Sequence, residues 1–253
     1  MNIVNEVVAW LTTSANWTGG GGVPIRLVEH LYYSGLALLL GLVVAVPIGV
    51  VVGHTGRGSF LVVGVANGLR ALPELGLLIL LVLSMGIGLL PVVLALTVLA
   101  VPPLLAGTYA GVRNVDRSVV EAARGMGMRE AQVLFKVELP NALPLVLGGA
   151  RSAALQVIAT AAVAAYVSYG GLGRYLIDGL RQQDYAQMVA GALLIALLAL
   201  VVEAVLALLQ RAVVSPGLRG GSLRSPTVDV ARPDPDAPPA PRTPAPELAG
   251  VER

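Results

Sequence analysis

Apolar runs of about twenty residues recur along the chain, each long enough to cross a hydrocarbon core of ~30 Å. Five windows qualify: Leu31 to Gly53, Phe60 to Met85, Leu89 to Val112, Leu143 to Val167 and Tyr185 to Leu209. Backbone polar groups in lipid must be satisfied within their own segment, so runs of this length predict α-helices. The pattern therefore predicts an all-α polytopic membrane protein with about five transmembrane helices. The connections are short and polar, and one of them, residues 113–142, is far longer than a turn.

Charge placement orients the spans, because cytoplasmic loops are enriched in Arg and Lys. Arg113, Arg117, Arg124, Arg129 and Lys136 all fall between the third and fourth spans, while Gly86 to Gly88 between the second and third carries no charge. Arg57 follows the first span, and Arg211 and Arg219 follow the fifth. This places the N-terminus outside and the C-terminus in the cytoplasm. Arg174 and Arg181 run against the pattern and are partly balanced by Asp178 and Asp184.

Three regions follow. Residues 1–28 lack the basic n-region and small-residue cleavage site of a secretory signal and carry Trp10 and Trp17, so an uncleaved interfacial or extracytoplasmic segment is expected. Residues 29–212 form the transmembrane domain. Residues 213–253 turn polar and proline-rich, with "RPDPDAPPAPRTPAPE", and read as a disordered cytoplasmic tail.

Composition sharpens the class. With 56% hydrophobic and 13% charged residues, the chain carries about half the charge of a soluble domain. The absence of cysteine excludes disulfides, thiolate metal sites and cysteine nucleophiles. A net charge of +2, dispersed near membrane ends, gives nucleic-acid binding no support. His30 and His54 have no second ligand at metal-binding spacing, so no metal site is expected. There is no Walker A sequence and no repeat of 20 to 50 residues.

Several spans contain residues that a membrane tolerates poorly. Pro47, Pro73, Pro102 and Pro103 each remove a backbone donor and tend to kink a helix; the kinks either shape packing or open a translocation path. Arg70 and Glu74 lie at an i, i+4 separation around Pro73. Intramembrane charges face a partner or a cavity, so Arg70, Pro73 and Glu74 are candidates for the translocation path, with a structural or inter-subunit pair as the other reading. Arg151 is placed to snorkel to the inner interface, and Glu203 to meet a neighbouring subunit.

The polar segment "DRSVVEAARGMGMREAQVLFKVELPNALP", Asp116 to Pro144, has helical character. Asp116 is a candidate N-cap for a first helix with Val119, Val120 and Ala123 on its buried side, ended by Gly125 and Gly127. A second short helix puts Val133, Leu134 and Val137 on one face, with Pro140 forbidding its continuation and disfavouring helix at Leu139. Small Ala122 and Ala123 would let another protein approach closely. The plainer alternative is an amphipathic loop resting on the membrane surface.

Glu121-Ala122-Ala123, three residues, Gly127, nine residues, Val137, one residue and Leu139-Pro140 resemble the "EAA" loop of binding-protein-dependent ABC importer permeases. Val137 stands where Ile is usual. The resemblance covers roughly residues 29–212, and "EHLYYS", "AVPIG", "RALPELGLL" and "AAYVSYGGLGRYLIDGL" are similar to its quaternary-amine branch. Gly170, Gly171 and Gly173 supply an outer turn there. Two departures are Arg129, where a Thr N-cap is common, and Arg174, where an acid is common.

The resemblance implies the type I, MetI-like importer fold and a transporter subunit in the bacterial cytoplasmic membrane, with no catalytic residues. Glu121, Ala122, Ala123, Gly125, Gly127, Val137, Leu139 and Pro140 would form the ATPase-coupling loop. It implies a cytoplasmic ABC ATPase dimer that takes ATP and Mg, a second permease (identical or paralogous), an extracytoplasmic solute-binding protein, and no cofactor on this chain. The implied cargo is a quaternary-amine solute: glycine betaine, choline, carnitine or proline. An amino acid such as methionine is the alternative; an ion-driven secondary transporter and a membrane scaffold are the rivals outside the class.

Overall fold

A computed structural model describes residues 2–214; of the expected tail, Val213 ends a helix and residues 215–253 lie outside the described residues. The described chain is helical throughout. An N-terminal helix α1 (Ile3–Thr12) and a 3-10 turn (Ser14–Trp17) precede the long helix α2 (Val23–Thr55). Next come α3 (Ser59–Arg70), α4 (Glu74–Met85), α5 (Leu89–Arg113), α6 (Arg117–Gly125) and α7 (Glu130–Val133). A π turn (Leu134–Glu138) leads into α8 (Leu139–Thr160), which tightens into a 3-10 segment (Ala161–Val167); α9 (Gly173–Gln182) and α10 (Tyr185–Val213) complete the chain.

Four of these, α2, α5, the run Glu130–Val167 and α10, are long and apolar enough to span a membrane, and the bent pair α3–α4 brings the number to five. The sequence windows thus find the right elements, with three corrections. Helix α2 begins at Val23 rather than Leu31, since Pro24 sits in its first turn, where a missing N–H costs nothing. Its 33 residues rise about 50 Å, well beyond the hydrocarbon thickness. Its first two turns therefore carry polar Arg26, Glu29 and His30.

The second window is two helices at 86°. Pro73 ends α3 because its ring excludes the preceding carbonyl and supplies no donor. Residues 71–73 leave the helix, and Leu77 N–H returns to the Pro73 carbonyl at 2.9 Å to start α4. Pro47, Pro102 and Pro103 stay inside continuous helices.

Pro140, expected to stop the second loop helix, instead opens α8 with no break in the helical run. The π turn explains this: Leu139 N–H reaches back five residues to the Leu134 carbonyl. Asn141 Nδ2 then covers the Val137 carbonyl at 2.7 Å. The proline therefore falls at a register shift, where the α-helical ladder is already interrupted.

Helix α5 is the centre of the bundle: 67% of its apolar window is buried, against 11% for α10. It packs on α2 and α8 through small residues. A Cβ at Gly107 would lie 2.7 Å from Gly149 Cα, and one at Gly49 2.8 Å from Thr108 Cβ. Close backbone approach of this kind is how helices associate where lipid removes the hydrophobic drive. Large apolar side chains such as Val43, Phe60, Leu83 and Leu200 stay exposed, as a bilayer-facing surface requires.

Arg151 on α8 and Glu203 on α10 form an ion pair within the chain. Gln210 Nε2 adds a bond from α10 to the Pro144 carbonyl at 3.1 Å.

Candidate functional site

The polar segment after α5 folds into a compact helical hairpin. Asp116 Oδ1 accepts from Ser118 N–H at 2.9 Å, the N-cap expected for α6. That bond to the backbone N–H holds the Asp116 carboxyl below its ordinary range.

The exit from α6 is a Schellman motif. Gly127 N–H bonds the Arg124 carbonyl at 2.9 Å and Met128 N–H the Ala123 carbonyl at 3.2 Å, with Gly127 at φ +81°. The left-handed conformation makes Gly127 the fixed point of the hairpin; Gly125, the last helical residue, has ordinary geometry. Beyond the turn, Arg129 lacks an acceptor, but Gln132 Oε1 accepts from its N–H at 2.9 Å, half of a capping box.

A small core locks the two arms together: Val120, Ala123 and Val133, with Val115, Met128 and Val137 packed around them. Val133 and Val137 share a face as the spacing predicts, whereas Leu134, expected beside them, is not part of this core. Val119 does not join them and is 45% exposed. Ala123 is buried inside the hairpin, so of the two alanines only Ala122 is open to a partner, beside exposed Glu121. The tip offers Met126, 77% exposed, and the π turn offers Phe135, 66% exposed. Sequence reasoning missed both, although a large apolar residue in a polar loop is itself a signal.

Arg124 clamps the arms from outside, donating from Nε to Glu130 Oε1 at 2.9 Å and from a terminal nitrogen to Oε2 at 3.0 Å. This bidentate pairing pulls the Glu130 carboxyl below its ordinary range. Below the hairpin lies a cavity of about 320 Å³ whose charged lining includes His54, Arg113, Arg117, Glu121, Arg124 and Glu138. His54 and Glu138 were not candidates at the sequence level; 84 residues separate them, and no local spacing reveals their contact.

At the break in the second span, Arg70 and Glu74 do not pair. Arg70 lines one cavity with Asn67, Ala106 and Tyr109, against α5. Glu74 lines another with Leu78, Val92, Thr160 and Ala164, and its Oε1 is buried without a hydrogen-bond partner. The i, i+4 relationship presumes a continuous helix, and Pro73 abolishes it.

At the opposite end of α2 from the hairpin, the glycine turn is tightly built. Gly171 has φ +91° and its N–H donates to Glu29 Oε2 at 2.7 Å, while Arg26 bonds the same oxygen at 2.9 Å. A Cβ at Gly170 would collide with the Glu29 carboxylate, one at Gly171 with the Tyr33 hydroxyl, and one at Gly173 with the Ala162 backbone. His30 Nε2 meets the Ile158 carbonyl at 3.0 Å and its Nδ1 the Tyr33 hydroxyl at 3.1 Å, a core histidine with both nitrogens engaged. Among the described residues no cluster of His, Cys, Asp and Glu could hold a metal ion.

Residues 37–215 match the family described as the binding-protein-dependent transport system inner membrane component. The chain is 33% identical over 217 residues to the glycine betaine/carnitine/choline transport system permease protein OpuCB of Bacillus subtilis, covering 86% of this chain and 98% of that protein. It is 37% identical to the carnitine transport permease protein OpuCB of Listeria monocytogenes, over 76% and 88% of the two chains. It is 35% identical to the osmoprotectant import permease protein OsmW of Salmonella typhimurium, over 76% and 91%. In fold it is similar to a chain of the inward-facing MetNI methionine ABC transporter, with a TM-score of 0.67 at 23% identity, over 76% of this chain and 96% of that one. The protein is a multi-pass transporter subunit and belongs to the family of binding-protein-dependent transport system inner membrane components.

Proposed function

We propose that this chain is the permease subunit of an ATP-driven importer of quaternary-amine compatible solutes, the class that takes in glycine betaine, choline, carnitine or proline. The observation that carries the transport mechanism is the hairpin: Glu121, Ala122 and Met126 stand exposed on an element fixed by Asp116, Gly127 and the Arg124–Glu130 clamp. A rigid, outward-presented helix pair with one small residue at its open face is suited to sit in a groove of another protein. The substrate class is supported by the names of relatives that align over most of their own length. The likeness to a methionine transporter is one of fold.

In this reading the hairpin docks on a cytoplasmic ABC ATPase dimer, which binds ATP and Mg. A second permease, identical or paralogous, completes the path, and an extracytoplasmic binding protein delivers the solute. The chain lies in the bacterial cytoplasmic membrane with its N-terminus outside and its C-terminus inside, the orientation that puts the Arg-rich hairpin in the cytoplasm. Arg70 and Glu74, on either side of the Pro73 break, line the path from two separate cavities instead of as a pair.

The test uses the assembled importer. The sequence has no cysteine, so Ala122→Cys is a single thiol on the docking face. It should crosslink to the ATPase, while Glu121→Lys and Gly127→Val should leave membrane insertion intact and separate ATP hydrolysis from uptake. Valine at a φ of +81° costs about 1–2 kcal/mol of local strain. Coupled uptake at the unmodified rate in both variants would remove the hairpin from the mechanism.

A further inference from the structure

His54 stands where the last turn of α2 meets the second arm of the hairpin and the π turn that follows it. Its Nδ1 lies 2.5 Å from Glu138 Oε2, and its Nε2 lies 3.4 Å from Glu130 Oε2. The imidazole is 15% exposed and the Glu138 side chain 7%, so the closer contact is shielded from water. An acid this buried is costly unless it is partnered; His54 is the partner.

The position of Glu138 follows from the π turn. A π turn inserts one residue into the helical register, and here it ends on Glu138, whose side chain is buried. The same turn joins the hairpin to α8. Glu138 is therefore anchored to the root of a spanning helix, while Glu130 belongs to the hairpin itself and is held by Arg124. Through one ring, His54 connects α2 to both.

We propose that His54 is a positioning residue that makes the inner end of α2 move with the hairpin, so that displacement of the docking element is transmitted to a spanning helix other than α5 and α8, which adjoin it in sequence. This rests on the reading of the hairpin as the coupling element. Covalent connection gives α5 and α8 the motion directly. Helix α2 is joined to the bundle mainly by small-residue packing, and its inner end reaches the hairpin through His54. The adjoining cavity of about 320 Å³ leaves space for the hairpin to shift without breaking that contact.

The experiment measures ATP hydrolysed per solute taken up by the reconstituted importer, for the unmodified chain, His54→Gln, Glu138→Gln and the double variant. Each single change should raise the ratio several-fold, and the double variant should be no worse than either, because both break one contact. Crosslinking from Ala122→Cys to the ATPase should keep its yield, showing that docking persists. Ratios in the single variants equal to that of the unmodified chain, or a double variant with the summed effect of the two, overturn the inference. So does failure of both single variants to insert, which would make the contact a folding staple. An unmodified importer with no ATP-driven uptake overturns instead the reading on which it rests.

Discussion

Glu29 and Gly171, 142 residues apart, are joined by a 2.7 Å hydrogen bond from the Gly171 N–H to the Glu29 carboxylate. The bond closes the turn between the fourth and fifth spans onto the N-terminal end of the first. Glycine at 170 and 171 leaves room for the carboxylate and for the Tyr33 hydroxyl, and glycine at 171 also tolerates φ +91°.

Removing the acceptor tests that closure. Glu29→Ala leaves the Gly171 N–H and Arg26 without their partner and should lower stability by about 1.5 kcal/mol, the lower end for a charge-assisted bond because Glu29 is partly exposed. Glu29→Gln keeps an acceptor and should cost less. Thermal unfolding of the purified permease in detergent gives the order; equal midpoints for both variants would contradict it.

The α5–α8 seam makes a sharper prediction. Gly107→Leu forces a side chain against the Gly149 backbone, which is rigid, and should destabilise by about 1–3 kcal/mol or prevent accumulation in the membrane. Gly148→Leu is the matched control, since nothing lies within 4 Å of a Cβ there. Membrane abundance of the two variants decides the matter, and similar abundance would show that the seam yields.

The spans were legible because hydropathy over twenty residues is insensitive to local detail. The hairpin was legible because Asp116, Gly127 and the Glu121–Ala123 run are short-range signals of a capped, turned element. What escaped depends on long-range partners or on backbone register. The His54–Glu138 hydrogen bond and the Arg151–Glu203 ion pair join segments distant in sequence. The continuity of the loop helix through Pro140 rests on a π turn that residue spacing does not announce. The Arg70–Glu74 spacing misled because it assumed the helix that Pro73 destroys.

The Arg151–Glu203 pair ties α8 to α10 within the membrane region. Removing one partner leaves the other charge unneutralised, so Arg151→Met or Glu203→Met alone should destabilise more than the double change. Unfolding midpoints of the three variants form a double-mutant cycle, and strict additivity would show that the pair is not coupled.

Acid should loosen the hairpin in a defined direction. Both Glu130, bonded by Arg124, and Asp116, bonded by the Ser118 N–H, are held below their ordinary ranges in the folded chain. Their contribution is fully present above those ranges and is lost as pH falls through the lowered values. Hydrogen exchange at Gly127 and Met128, corrected for intrinsic rates, should therefore lose protection on going from neutral pH to about pH 3. Glu130→Gln should begin less protected and change less; protection independent of pH in the unmodified chain would contradict the clamp.

The central claim is tested most directly by uptake of labelled glycine betaine, choline, proline and methionine into proteoliposomes holding this chain, its ATPase, any partner permease and its binding protein. The account predicts quaternary-amine uptake that vanishes without ATP. Methionine uptake alone would keep the importer and overturn its cargo, and uptake that persists without ATP would contradict the mechanism itself.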